Sequence, residues 1–264
     1  MLFLPPPESK LFPEQALGLQ LLIDQAPRLL FQGVNSRWVG GYFDIISLDL
    51  AKRFASMPDT LKAYNLNRWA GGVGATFGFW AVARFWFLAP LVYSESLATH
   101  DLADELIEST RLDIEKFAGK TDPYRSSKKE LMKNVYGFPT IIKAGFPQKP
   151  DLKMEEFLFW LAMLLDLHYP IINVYDRYPY RNASLGREST QEEKEWLDAT
   201  DHFGEEGEEA AKKIRGCVGW TMDTIDRWQT LMFNLIVNLY VTLSLVFYAL
   251  QKRLKLSIFL TLLR

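Results

Sequence analysis

The sequence predicts an all-α fold, a helical bundle or array closed by a hydrophobic C-terminal helix. Three observations predict it. Apolar residues recur at three- and four-residue spacing, as in Leu17, Leu21 and Leu22 or Leu102, Leu106, Ile107, Ile114 and Phe117. No segment alternates apolar and polar residues over a strand's length. Proline and capping residues stand where helices start, and glycine where they stop.

Residues 1–13 are apolar and proline-rich and read as an extended arm. Pro13-Glu14 opens a helix, because proline in a first turn gives up an N–H that has no helical partner. Pro27 interrupts that helix and Gly33 closes it. A second helix is expected over Tyr42–Ala55. Ala70–Gly78 is glycine-rich, but it lacks the Lys-Ser/Thr ending of a phosphate loop and no strand precedes it. It reads as a flexible linker. Phe79–Glu95 is apolar on every side, with Pro90 inside, and reads as a buried core helix. Thr99 is expected to cap the next helix, Asp101–Phe117. Residues 119–152 read as a long connection carrying one short helix, Lys128–Asn134. Met154–Leu167 is a buried helix, and Pro170 restarts it through Asp176. Thr190 and Glu193 have the spacing of a capping box, in which hydroxyl and carboxylate satisfy each other's backbone N–H. A helix then runs to about Ala199. Residues 201–209 read as a solvated turn and Glu209–Arg215 as a short helix.

The 264 residues split into the arm, a helical domain over 14–204, and a linker with an apolar helix over 205–264. Residues 231–250 carry no charge, and Lys252, Arg253 and Lys255 follow at once. Twenty residues rise about 30 Å as a helix, the thickness of a bilayer core. The basic flank would hold this end in the cytoplasm. Asn234 and Asn238 are costly in lipid but share a helix face. Three readings stay open for this tail: a membrane segment, a helix packed on the domain, or an imperfect gene model.

The net charge of −2 gives no electrostatic support to nucleic-acid binding. One cysteine, Cys217, forbids an internal disulfide and fits a reducing, cytoplasmic location, with membrane attachment through 231–250. The residue itself reads as inert. With three histidines and one cysteine, no Cys/His metal site is available, and no cofactor is expected. The opening Met-Leu-Phe-Leu-Pro-Pro-Pro lacks a basic n-region and does not read as a secretory signal.

Three segments carry a family resemblance. Leu22-Ile23-Asp24-Gln25-Ala26-Pro27-Arg28-Leu29-Leu30-Phe31-Gln32-Gly33 is the first. Leu88-Ala89-Pro90-Leu91-Val92-Tyr93-Ser94-Glu95 is the second. The third begins at His168 and runs through Arg177-Tyr178-Pro179-Tyr180-Arg181-Asn182 to Leu185-Gly186-Arg187-Glu188-Ser189-Thr190 and Glu192-Glu193. Together, over about residues 14–204, they resemble the domain-of-unknown-function 924 family. The resemblance implies an all-helical fold akin to tetratricopeptide superhelices and no established activity. Two histidines of the family pattern stand here as Tyr93 and Tyr180, His168 is retained, and the family's aromatic N-terminal segment is not recognisable.

These segments place Asp24, Arg28, Glu95, Arg177, Arg181, Asn182 and Arg187 in apolar helical surroundings. Charges there must pair or bind something. Three readings compete. In the first, the chain is a binding or scaffold module. Arg28, Tyr93, Ser94, Arg177, Tyr180, Arg181, Asn182 and Arg187 then line a polar cleft for a small anionic molecule or a peptide. In the second it is an enzyme with Glu95 or His168 as acid/base and the arginines as clamp. In the third the residues form a structural network, with Asp24 and Glu95 neutralising arginines and Asn182 and Ser189 tying down their turn. His100 and His202 lie in polar contexts and are expected to be exposed.

Overall fold

A helix apolar on all sides can only sit at the centre of a helical protein, and Phe77–Val92 (α4) does so. The computed structural model describes residues 4–216, and every regular element among them is helical. The 231–250 segment and Cys217 lie outside the described residues. Around α4 stand Phe12–Asp24 (α1), Asp44–Ser56 (α3), Leu97–Ala118 (α5) and Met154–Asp166 (α8). Trp80, Phe87, Leu88 and Leu91 of α4 are nearly fully buried, packed with Phe12, Phe54, Ile107, Ile114 and Leu158 from these neighbours. Each such side chain contributes about 1.5–3 kcal/mol of burial. Residues 154–175 are long and apolar enough to cross a membrane by length and composition, but 61% of the stretch is buried within the protein.

Residues 4–11 form turns, and Arg68 holds them by donating to the carbonyls of Pro7 (2.5 Å) and Ser9 (2.8 Å). Ala26–Leu30 (α2) follows α1 directly, with Pro27 in its first turn. A π-helical turn, Val39–Phe43, leads into α3.

The expected flexible linker at Ala70–Gly78 is a structured turn. Arg68–Val73 makes a π-helical turn around Trp69, which is fully buried and donates from its indole N–H to the Ala63 carbonyl. Gly74 ends the turn at φ +74°, and Thr76 caps α4 by accepting from the Phe79 N–H. The glycines serve the turn, while the tryptophan fixes it. Helix α5 begins at Leu97 rather than beyond a Thr99 cap, and Thr99 is buried in its first turn.

The 119–152 connection carries two short helices, Lys128–Leu131 (α6) and Gly137–Ala144 (α7). The second was not expected, because its sequence opens on Gly137 and Pro139. Both residues fit: proline sits in the first turn, and a Cβ on Gly137 would lie 2.6 Å from Leu167 Cδ2. Tyr169–Tyr175 (α9), Gln191–Ala199 (α10) and Glu208–Gly216 (α11) complete the described chain. A second apolar cluster joins α9 to α10 through Ile171, Ile172, Tyr178, Trp196 and Leu197.

Candidate functional site

The C-terminal end of a helix leaves carbonyls without helical partners. In α4 those carbonyls meet the signature turn, residues 177–187. Tyr178 Oη donates to the Val92 carbonyl. Arg181 Nη1 donates to the Tyr93 carbonyl at 2.9 Å. His100 Nε2 bonds the Ser94 carbonyl at 2.9 Å. Glu95 accepts from Arg187 Nη1 and Nη2 at 2.6 and 3.0 Å and from the Tyr178 N–H at 3.0 Å. Guanidinium groups at this end also complement the helix dipole. The second and third sequence segments are therefore two halves of one helix cap. His100 is buried, contrary to the expectation of exposure, because the first turn of α5 points it at this cap. His202 is exposed, as expected.

Glu193 organises the rest of the turn. Its carboxylate accepts from Arg177 Nε and Nη2 at 2.6 and 2.7 Å, from Asn182 Nδ2 at 3.1 Å and from the Thr190 N–H at 2.7 Å. The Thr190 hydroxyl accepts from the Glu193 N–H in return, completing the capping box. Asn182 also donates to the Ser189 hydroxyl at 3.1 Å. These donors, Arg177 foremost, hold the Glu193 carboxyl at about 2, far below the usual carboxylate range. Arg177, Asn182 and Arg187 are thus engaged by protein carboxylates.

The remaining candidates meet elsewhere. Asp44 bridges two guanidiniums, Arg28 Nη2 at 2.5 Å and Arg181 Nη1 at 3.2 Å. Asp24 lies behind, with Arg28 Nη2 at 3.4 Å and the Ser47 hydroxyl at 3.3 Å, and it accepts from the Gln25 amide. Arg28 covers the Tyr93 ring at 4.3 Å, and Arg181 covers Tyr178 at 4.7 Å and Tyr180 at 5.9 Å. Burial pushes the Tyr93 phenol up to about 12 and raises Tyr180, yet both residues are only half-buried. In this cluster two guanidinium N–H groups, Arg28 Nε and Arg181 Nη2, and one carboxylate oxygen, Asp44 Oδ2, are buried without a hydrogen-bond partner. His168 is 2% exposed, its ring 5.6 Å from Tyr93 and 3.9 Å from Phe138. Ser94 is buried, its carbonyl occupied by His100.

Sequence reasoning missed Asp44, which belongs to none of the three segments, and saw Glu193 only as a cap. It also missed a second buried network. Arg111 donates to Asp122 at 2.6 Å, Asp166 at 2.5 Å and Glu108 at 2.8 Å, pinning the 119–128 loop between α5 and α8. The pairing of Arg111 with Asp166, 55 residues apart, leaves no local pattern.

An open cleft of about 390 Å³ lies beside the signature turn, with Arg187, Lys194, Asp198, His202, Glu205 and Arg215 on its walls. Of the candidate residues only Arg187 lines it, and charges of both signs face it. Among the described residues no cluster of His, Cys, Asp and Glu has the arrangement of a metal site.

A family model described as "Bacterial protein of unknown function (DUF924)" matches residues 7–201. No curated protein and no solved structure matches the chain. The matched stretch contains α1 to α10, the cap of α4 and the Asp44-centred cluster, and since it covers well over half of the sequence, the chain belongs to the DUF924 family.

Proposed function

We propose that this protein is a helical binding module whose site is the Asp44-centred cluster of Arg28, Tyr93, Tyr180 and Arg181, and that it takes a small anionic molecule, a carboxylate in particular. The observation that carries this reading is the pair of buried guanidinium N–H groups without acceptors, Arg28 Nε and Arg181 Nη2. A buried donor left unpaired costs about 1–3 kcal/mol, and an anionic oxygen recovers that cost. Arg28 and Arg181 are matched by Asp24 and Asp44, and burial raises the Asp24 carboxyl. The tyrosine rings supply apolar walls with polar ends.

Acid/base catalysis by the two candidate groups has less support. Glu95 has both oxygens occupied, and although burial works against ionisation, Arg187 and the Tyr178 N–H hold its carboxyl low. Burial holds the His168 imidazole down to about 3. Both are weak bases near neutral pH.

Isothermal titration of the full chain with benzoate and with inorganic phosphate tests the proposal. Arg28→Gln and Arg181→Gln should each weaken binding about tenfold or more, the loss of one charge-assisted hydrogen bond. Arg177→Gln should not, because that guanidinium is committed to Glu193. Binding of neither probe, or equal loss in all three variants, sinks the reading.

A further inference from the structure

The open cleft beside the signature turn is polarised along its length. Helix α10 forms one wall and α11 the other. The two helices run antiparallel. Residues 200–207 join the end of α10 to the start of α11, and the far end of α11 returns to residues 186–188. There a Cβ on Gly186 would lie 3.5 Å from Ile214, and Arg215 Nε stands 3.6 Å from Glu188 Oε1. One end of the trough carries Arg187, Lys194 and Arg215, with Glu188 as the single acid. The other carries Asp198, Glu205, Glu206 and Glu208, with His202 bonded to Glu205 at 2.8 Å. The floor is apolar, from the buried Ala183, Leu197 and Ala211.

Charges at both ends are uncommitted. The side chains of Lys194, Glu206 and Glu208 have no ion-pair or hydrogen-bond partner among the described residues. Asp198 has only the 3.7 Å approach of His202 Nε2. Arg187 spends Nη1 and Nη2 on Glu95, and its buried Nε–H has no acceptor, which leaves the basic end short of negative charge. Lys194 and Asp198 stand four residues apart on α10 without pairing, and a base N-terminal to an acid is the weaker order on a helix. That spacing is about 6 Å along the helix axis. We infer that the trough is a second binding site, separate from the Asp44-centred cluster, and that it takes a free dipeptide with small side chains. The dipeptide carboxylate meets Lys194 and Arg215, and its ammonium meets Asp198 and Glu206. The amino nitrogen and carboxyl carbon of an extended dipeptide lie about 6 Å apart, which matches the turn of α10 between the two charged ends. A single α-amino acid holds both charges on one carbon and reaches only one end. A plain anion is repelled by the acidic end, and a plain cation by the basic end. Small apolar side chains suit the floor of Ala183, Leu197 and Ala211. The cleft volume of about 390 Å³ falls within the range of small-molecule sites.

Titration calorimetry of the full chain with L-alanyl-L-alanine, its N-acetyl form, its amide and free alanine tests this. The dipeptide should bind, and each of the other three should bind about fivefold or more weakly, the loss of one solvent-facing charge pair. Lys194→Gln should bring the dipeptide down to the level of the amide while leaving the amide's own affinity unchanged. Glu206→Gln should do the same with respect to the N-acetyl form. Lys194 is exposed and Glu206 half-buried, so both variants should melt at the wild-type Tm. Arg28→Gln should leave dipeptide binding unchanged, and benzoate should not compete with it, which keeps this site apart from the anion site. No binding of the dipeptide, or equal affinity for its blocked forms, overturns the inference and leaves the Asp44-centred anion site untouched. Loss of dipeptide binding in Arg28→Gln with none in Lys194→Gln would assign the carboxylate to that cluster and overturn the inference as well.

Discussion

A single buried imidazole illustrates how residue-level electrostatics becomes a stability curve. His168 is neutral in the folded chain because burial removes water from the charged form. Tyr93, Phe138 and Tyr178 pack around it, and the positive charge of Arg181 further opposes a second proton. Its folded pKa of about 3 lies below its ordinary value, so the unfolded chain binds the extra proton first as pH falls. Stability from this group is complete above about pH 6.5 and declines toward pH 3. Asp166 opposes this trend. Burial pushes its carboxyl up to about 6 against the pull of Arg111 and Lys128, so its contribution is fullest at low pH and is lost as pH rises through 6. The two nearly cancel in the wild type, and only a difference measurement separates them. Relative to His168→Phe, the wild type should lose about 2 kcal/mol of unfolding free energy between pH 7 and pH 5, at about 1.4 kcal/mol per pH unit. Urea unfolding at the two pH values measures it. Parallel curves would mean that His168 is protonated in the folded chain. Glu193 gives a simpler residue-scale case. Glu193→Gln removes the charge partner of Arg177 and weakens its bond to the Thr190 N–H, and should cost about 3–5 kcal/mol at pH 7.

At the scale of elements, most helices were legible because each announces itself locally. The apolar period of α1, the all-round hydrophobicity of α4 and the Thr190–Glu193 box are short-range signals, and α1, α4, α8 and α10 lie where those signals put them. Helix α7 was illegible because its stability comes from a tertiary approach. Gly137 reads as a breaker, yet it is the residue that lets the helix settle against Leu167 at the end of α8. Leu167 is fully buried in a cluster with Trp160 and Met163, so it has little room to yield. Gly137→Ala should therefore destabilise the protein by about 1–3 kcal/mol, as overpacking does, despite alanine's better helix propensity. Thermal unfolding would show a Tm lowered by several degrees. A raised Tm would mean that Leu167 repacks and propensity wins. The turn before α4 makes the same point with a different residue: its composition says linker, and one buried tryptophan makes it structure.

For the whole molecule, the candidate residues could be named one by one from the sequence, but not which of them pair. Sequence order places Tyr93, Ser94 and Glu95 far from Arg177–Arg187, and nothing local says that the second segment is the end of a helix which the third segment caps. Nor does any motif contain Asp44, the carboxylate that ties Arg28 to Arg181. The cap has a mechanical consequence. The central cluster around α4 and the smaller cluster of α9 and α10 are separate apolar groups. Between them run the polar contacts of Val92, Tyr93 and Glu95 with Tyr178, Arg181 and Arg187. Apolar burial is cooperative within each cluster, whereas this polar seam exposes little beyond Val92 and Tyr178 when it opens. Glu95→Ala removes the acceptor of Arg187 and of the Tyr178 N–H and leaves both cores whole. It should cost about 1–3 kcal/mol for the donors left unpaired. Amide hydrogen exchange should then speed up in α9 and α10 while α4 and α5 keep their wild-type protection. The proposed anion site would feel the same loosening, because Arg181 and Tyr180 travel with the seam, so benzoate affinity should fall although Glu95 itself bonds none of the side chains of Arg28, Tyr93, Tyr180 and Arg181. A uniform rise in exchange across α4, α5, α9 and α10 would show instead that the two clusters unfold as one unit and that the seam carries no separate mode of motion.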